Sequence, residues 1–229
     1  MNGRSKLRRW HIWLAWIAAV PVLLWIVSGL VMVARPIEEV RGEGLLKPAG
    51  PMRLVGPPIP PLIAGIPLTS LSLEQRAAGP RWVVKLADDT TRLANPQTGL
   101  LLPQLSAADA ASEVTARYTG SSTVRSVKRT SAEDPPLDLR RPVAAWQVTM
   151  EDGTRFYVDA ASGQVLATRT RWWRFYDLMW GLHIMDLTTR EDSHNPLVIG
   201  FGLIALAVSV IGVILLPKTL RRKGGGDTA

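Results

Sequence analysis

WQVTMEDGTRFYVDAASGQVL, residues 146–166, aligns without a gap on WVVKLADDTTRLANPQTGLLL, residues 82–102. Trp82/Trp146, Val84/Val148, Asp88/Asp152, Thr90/Thr154, Gly99/Gly163 and Leu102/Leu166 are identical pairs in that alignment. Each copy alternates apolar and polar residues, turns at Asp-Asp or Asp-Gly, alternates again, and turns at Thr-Gly or Ser-Gly, the pattern of strand, tight turn, strand, turn, strand. Two three-stranded meanders are therefore expected. A single meander is marginal in water unless its apolar face is covered. The cover is predicted in SAADAASEVTARYTG (106–120), where Ser106 and Asp109 form a capping box and Ala107, Ala111, Val114 and Tyr118 recur at helical spacing.

Outside this repeat the chain becomes strongly apolar. No charged residue lies between Arg9 and Arg35. A helix over 10–34 reaches roughly 38 Å at about 1.5 Å per residue, more than a hydrocarbon core of about 30 Å. A second uncharged run, 197–216, led by Pro196, is long enough to cross as well. A cleaved signal peptide also opens on basic residues, but its apolar region spans about 7–15 residues and ends at small ones, which VMVARP does not supply. Two transmembrane helices, 10–34 and 196–216, are the expectation.

The net charge of +8 sits at the ends. Arg4, Lys6, Arg8 and Arg9 precede the first apolar run, and Lys218, Arg221, Arg222 and Lys223 follow the second, whereas residues 35–196 hold 19 basic and 18 acidic side chains. Basic residues flanking a span mark its cytoplasmic side. Both tails, 1–9 and 217–229, are thus expected in the cytoplasm of a bacterial cell, with the middle of the chain in the periplasm and the protein in the inner membrane. A folded domain so nearly neutral lacks the basic footprint of a nucleic-acid binder, so no nucleic-acid partner is expected. The absence of cysteine excludes thiolate metal sites and Cys nucleophiles and fits an oxidising compartment.

Between the first span and the repeat, residues 35–67 contain eight prolines and are expected to form an extended linker or wrapping segment. The exported domain then occupies 68–170. After it, 171–195 begins with RWWRFYDLMWGLHIMDL, in which Tyr176, Trp180, His183 and Leu187 share one helical stripe, as an amphipathic helix in the headgroup region would. Asn195 is a suitable N-cap and Pro196 a suitable first residue for the second span. That span carries Gly202, Ala205, Ser209 and Gly212 as a small-residue stripe. It suits packing against the first span within a chain, or a homodimer that rebuilds a four-helix bundle.

A helix followed by the hairpin pattern of AAWQVTMEDGTRFYVDAASGQVLA resembles the PepSY domain; the first copy follows the pattern less closely, with Asn95-Pro96 where Asp is expected. Together with RRWHIWLAWIAAVPVLLWIVSGLVM and LMWGLHIMDLTTREDSHNPLV, the chain resembles the PepSY-associated transmembrane family over most of residues 8–216. The fold class implied is an α+β membrane protein in which two transmembrane helices flank an exported PepSY-like domain of β-meanders and a covering helix. Larger members of that family include inner-membrane haem proteins associated with reduction of ferric siderophores. The resemblance implies haem b, with His11 and His183 at the family's histidine positions.

Spacing adds His194 on the outer side with His183, the pair that would ligate haem iron if the interfacial helix folds back over the second span. His11 lies a full helix away and cannot share one iron with His183 in one chain. Two function classes follow. One is a haem protein passing electrons across the bilayer to ferric iron or a ferric siderophore, as a reductase or a reductase subunit, with no catalytic residue assigned. The other is a non-enzymatic anchored protein whose exported domain binds or regulates a periplasmic partner such as a peptidase or an uptake component. No G-x-S-x-G, H-E-x-x-H or dinucleotide fingerprint is present.

Overall fold

The computed structural model describes residues 3–63, 65 and 67–223, with side chains described from residue 5 to residue 216. The ends of the two basic tails, residues 1–2 and 224–229, lie outside the described residues. The chain is an α+β protein in two compact units, residues 36–174 and the pair of segments 1–35 and 175–229.

The unit of residues 36–174 holds the repeat. Strands β1 (Leu68–Arg76), β2 (Gly79–Leu86) and β3 (Thr91–Ala94) form an antiparallel sheet in that order. Strands β4 (Val124–Thr130), β5 (Ala145–Met150), β6 (Arg155–Asp159) and β7 (Val165–Arg169) form a second, also antiparallel. The sheets differ from two simple meanders in two respects. A strand precedes the repeat in each case, and Leu101 in the first copy contributes only a bridge to Ala94 where the second copy builds β7.

Identical residues make identical bonds. In the first turn Asp88 Oδ1 accepts from Thr90 N–H at 3.0 Å and Asp152 Oδ1 from Thr154 N–H at 2.7 Å. In the second, Gly99 N–H donates to Asn95 O at 2.8 Å and Gly163 N–H to Asp159 O at 2.9 Å, both glycines at φ +70. Asn95 thus does the work of Asp159: its side-chain oxygen accepts from Gln97 N–H, as that of Asp159 does from Ala161 and Ser162. An amide oxygen closes an Asx turn as a carboxylate does, so the departure from the expected Asp costs the first copy no turn.

Residues 35–67 are more ordered than a bare linker. They begin with helix α2 (Ile37–Arg41) and a 3₁₀ turn (Glu43–Leu45), and Val40 is buried. Farther on, Ile59 N–H bonds Pro96 O at 2.7 Å and its carbonyl accepts from the indole of Trp82 at 2.8 Å. In the second copy Leu105 does the same, bonding Ala160 O at 3.1 Å and accepting from Trp146 at 2.9 Å. Prolines keep this segment from being regular helix, but they leave its remaining N–H and C=O groups free to pair with the sheet.

Helix α3 (Ala107–Thr115) opens with the complete Ser106/Asp109 capping box. Its buried residues are Ala110, Glu113 and Val114, so the helix is rotated from the expected stripe, and Tyr118 lies beyond its end. Tyr118 instead bridges to Leu46 and packs edge-on against Phe156. Ala110 and Val114 cover Val148, Met150, Phe156 and Val158. Full burial of each of the larger side chains is worth about 1.5–3 kcal/mol, which makes this face the main source of the unit's stability.

The other unit contains α1 (Gly3–Val33), most of α4 (Arg171–His183) and α5 (Pro196–Lys223). The basic residues Lys6, Arg8 and Arg9 continue the helical turns of α1 without a break. α1 and α5 are long and apolar enough to cross a membrane. Trp13, Trp16, Val20, Leu30, Leu203 and Val213 are each more than 60% exposed, an apolar surface that water would penalise and a bilayer would not. The two helices pack on each other, with Gly202 facing Trp25 and Gly212 facing His11. Two members of the small-residue stripe are therefore used inside the chain, while Ser209 is exposed.

α4 ends at His183, earlier than the stripe to Leu187 predicts. Met185 takes a left-handed conformation at φ 55, Asp186 N–H bonds Gly181 O at 2.9 Å, and Met185 N–H bonds Leu182 O at 3.3 Å. This is a Schellman closure, which stops the helix.

Candidate functional site

The three histidines have three different surroundings. His183, in the last turn of α4, directs Nδ1 to Ser28 Oγ of α1 at 3.0 Å, and its ring rests on Gly29, where a Cβ would stand 3.5 Å from Cε1. Ser28 is buried, and its hydroxyl also lies 2.6 Å from Leu24 O and 3.2 Å from Trp25 O. A hydroxyl has one proton, and a carbonyl can only accept, so the Ser28 proton goes to its own helix and Nδ1–H of His183 donates to Oγ. That makes Nδ1 the protonated nitrogen, so that in the neutral ring the lone pair falls on Nε2.

His11, near the start of α1, packs against Gly212, where a Cβ would lie 3.3 Å from its Cε1, and its Nδ1 is buried without a hydrogen-bond partner. His194 is exposed; its Nδ1 has Ser193 Oγ at 3.3 Å, and its backbone N–H donates to Asp192 Oδ1. Ser28 and Gly29 thus meet His183 alone, and Gly212 meets His11. Among the described residues no cluster of three or more His, Asp or Glu side chains gathers around a common point. For haem, one chain offers one ligand-ready nitrogen on the His183 side, Nε2 of His183, with a glycine beside the ring. A second histidine on that side would have to be His194, whose ring meets Ser193 rather than His183, or come from a second copy.

The loop between α4 and α5 is built on Asp186. Its Oδ1 accepts from Thr188 and Thr189 N–H at 3.0 and 3.1 Å, and its Oδ2 from Glu191 and Asp192 N–H, both at 3.2 Å, and from the Thr189 hydroxyl. The Thr189 hydroxyl, with the backbone donors behind it, holds the Asp186 carboxyl far below the usual carboxylate range. Asn195 then joins both helix ends: its amide donates to Ile184 O at 2.8 Å, and its oxygen caps Leu197 and Val198 N–H. Glu191 and Asp192 thus lend their amides to Asp186, and Asp192 also accepts from His194 N–H through Oδ1.

A depressed carboxylate stabilises the loop fully above the unfolded pKa, near 4, and the contribution is lost as pH falls toward the lower folded value. Protection of the Thr188–Asp192 amides, relative to the intrinsic exchange rate at each pH, should accordingly persist from pH 7 to about 4, whereas Asp186→Ala should abolish it throughout. Fast exchange in the parent protein at pH 7 would contradict the assignment.

Residues not singled out from sequence also shape this unit. Asp177, 4% exposed, receives Arg190 Nη1 at 2.7 Å, and a Cβ on Gly181 would fall 2.9 Å from both Arg190 Cγ and Asp186 O. The signal was present: a lone acid in an aromatic amphipathic helix needs a cation, and Arg190 is the basic residue of the following loop.

In the unit of residues 36–174 the sheet edges differ in character. β4 is an edge strand with Arg125, Lys128 and Arg129 among seven residues, the charge pattern that discourages further pairing. β1 is an edge strand of nine residues, and Leu68–Leu73 carry no charge, with Leu68 and Leu71 49% and 41% exposed. β3 is only four residues long. Of these three edges β1 offers the longest uncharged run to another strand.

Residues 104–169 match the family model described as PepSY, peptidase propeptide and YPEB domain. That segment contains α3 and the whole of the β4–β7 sheet. No curated protein and no solved structure matches the chain. The chain is a PepSY-containing protein with two apolar helices, one on each side of its sheet-rich domain.

Proposed function

We propose that the protein is a non-enzymatic, membrane-anchored PepSY protein whose domain outside the membrane binds a partner polypeptide by strand addition at β1. The uncharged outer edge of β1 carries this reading. Main-chain groups on such an edge provide affinity for an extended segment, and exposed Leu68 and Leu71 provide apolar contacts beside it. A periplasmic peptidase or an uptake component is the class of partner. α1 and α5 hold the protein in the inner membrane, and the basic residues beyond each span support an orientation with both termini in the cytoplasm.

A photoreactive residue placed at position 71, in cells carrying the full chain, should give a discrete adduct with a second polypeptide. The same residue at position 125 in β4 should not. Equal adducts from both positions, or none from position 71, would remove the strand-addition reading.

A second reading is favoured by the geometry of His183. Its Nδ1–H is fixed by Ser28, which in the neutral ring directs the lone pair to Nε2, the form in which histidine ligates iron. Bound haem would supply one-electron transfer, toward ferric iron or a ferric siderophore as acceptor. The part of this chain would be to orient the imidazole through Ser28, with Gly29 leaving room for the ring itself. Protein purified in mild detergent with a Soret band that disappears in His183→Ala supports this reading; protein that stays colourless after incubation with haemin defeats it. Loss of the band in His194→Ala as well would add His194 as the second ligand.

A further inference from the structure

The unit of residues 36–174 has a second concave feature, unrelated to the β1 edge. A groove of about 520 Å³ lies between the α2 segment and β7, within the size range of small-molecule sites. Four arginines reach its lining from four parts of the chain: Arg41 from α2, Arg117 from beyond α3, Arg141 from the β4–β5 connection and Arg169 from β7. Glu43 is the one carboxylate among the lining residues.

The convergence is specific to this place. Residues 36–174 carry 17 basic and 14 acidic side chains, so the charge excess of the whole unit is no larger than that of this lining. The counter-charges leave part of it uncompensated. Glu113 takes Arg117 at 3.1 Å, while Glu43 stands 3.8 Å from Arg41, with both side chains more than half exposed. Arg141 is exposed, whereas Arg169 is held in place, its bonds including those to the carbonyls of Asp138 and Thr168. The indole of Trp173, 9% exposed, lies under Arg169 at 4.1 Å and Arg140 at 5.7 Å. The α2 segment is held close: Gly42, at φ 66, packs so tightly that a Cβ would stand 3.1 Å from Thr168 Cγ2.

Gathering guanidinium groups into one groove works against folding, since like charges repel. Their forks match the two oxygens of a carboxylate or phosphate, and an aromatic floor holds them flat. We infer that this groove binds a small polyanion bearing two or more carboxylate or phosphate groups, with Arg41 and Arg141 as the arms that close on it and Trp173 with Arg169 as its floor.

The test is calorimetric titration of the full chain in neutral detergent, with citrate and pyrophosphate as probes. At least one probe should bind, and Arg41→Gln with Arg141→Gln should weaken it roughly tenfold or more, as loss of charge-assisted bonds does. Arg92→Gln, an exposed arginine of β3, should leave affinity unchanged. No binding of either probe, or equal weakening by Arg92→Gln, overturns the inference. Nanodiscs separate the sources of such groups. If only phosphatidylglycerol discs bind in an Arg41- and Arg141-dependent way, the anion is a lipid headgroup and the small-ligand assignment fails.

Discussion

Glu113→Ala is expected to lower the unfolding free energy of the sheet-containing unit by about 2–3 kcal/mol, the cost of removing a buried charged acceptor from its hydrogen bonds. Glu113 is 3% exposed, accepts from Ala77 N–H at 2.7 Å, and takes Arg117 Nη1 at 3.1 Å. Without it, the amide of the β1–β2 hairpin and the charge of Arg117 both lose a partner on the inner side of α3. Thermal or denaturant unfolding of the full chain in detergent, followed by circular dichroism in the β region, measures the loss. Glu113→Gln keeps an acceptor for Ala77 and should cost less. If Ala and Gln are alike and both cost under about 1 kcal/mol, the carboxylate does not hold this junction.

Asp177→Ala is the matching change in the helical unit and should cost a similar amount, about 2–3 kcal/mol. Its carboxylate is buried with Arg190 at 2.7 Å, and Arg190 in turn presents its carbonyl to the indole of Trp180 at 3.0 Å. Loss of Asp177 leaves Arg190, held at φ 58, without the ion pair that offsets its backbone strain. Thermal unfolding in detergent reads the cost, and protease cleavage within Thr188–Asp192 reads the release of the loop. Gly181→Ala should release the same loop from the opposite side, because the added Cβ meets the carbonyl of Asp186. Wild-type resistance in both variants would show that the loop is closed by other means.

The sequence made the repeat legible because turn chemistry is local. Asp88 and Asp152, Thr90 and Thr154, Gly99 and Gly163 are read as turns from neighbours alone, and each pair makes the same bonds in both copies. The capping box of α3 and the Asn195 cap of α5 were legible for the same reason. The strands that flank the repeat were not. β1 and β4 differ in sequence, three of the seven residues of β4 are charged, and the alternation of β1 is confined to Ser70–Glu74, so neither shows a full strand pattern.

Proline counting missed the role of Ile59 because its two bonds go to residues far along the chain. The rotation of α3 has the same kind of origin. Glu113 looks like a solvent-facing residue until its distant partner Ala77 is known. The histidines show the limit most plainly. Sequence placed His183 and His194 on one membrane side, but that Ser28, 155 residues away in the chain, takes His183 is a tertiary fact that spacing cannot hold.

Strand addition at β1 is a claim about main-chain hydrogen bonds, and amide hydrogen exchange reads those bonds directly. Exchange across Leu68–Arg76 should be compared in the protein alone and in complex with the polypeptide captured through position 71. The account predicts that alternate amides of Leu68–Leu73 become protected on binding, while those of β4 are unchanged. Protection absent from β1, or confined to β4 or the loops, would contradict it.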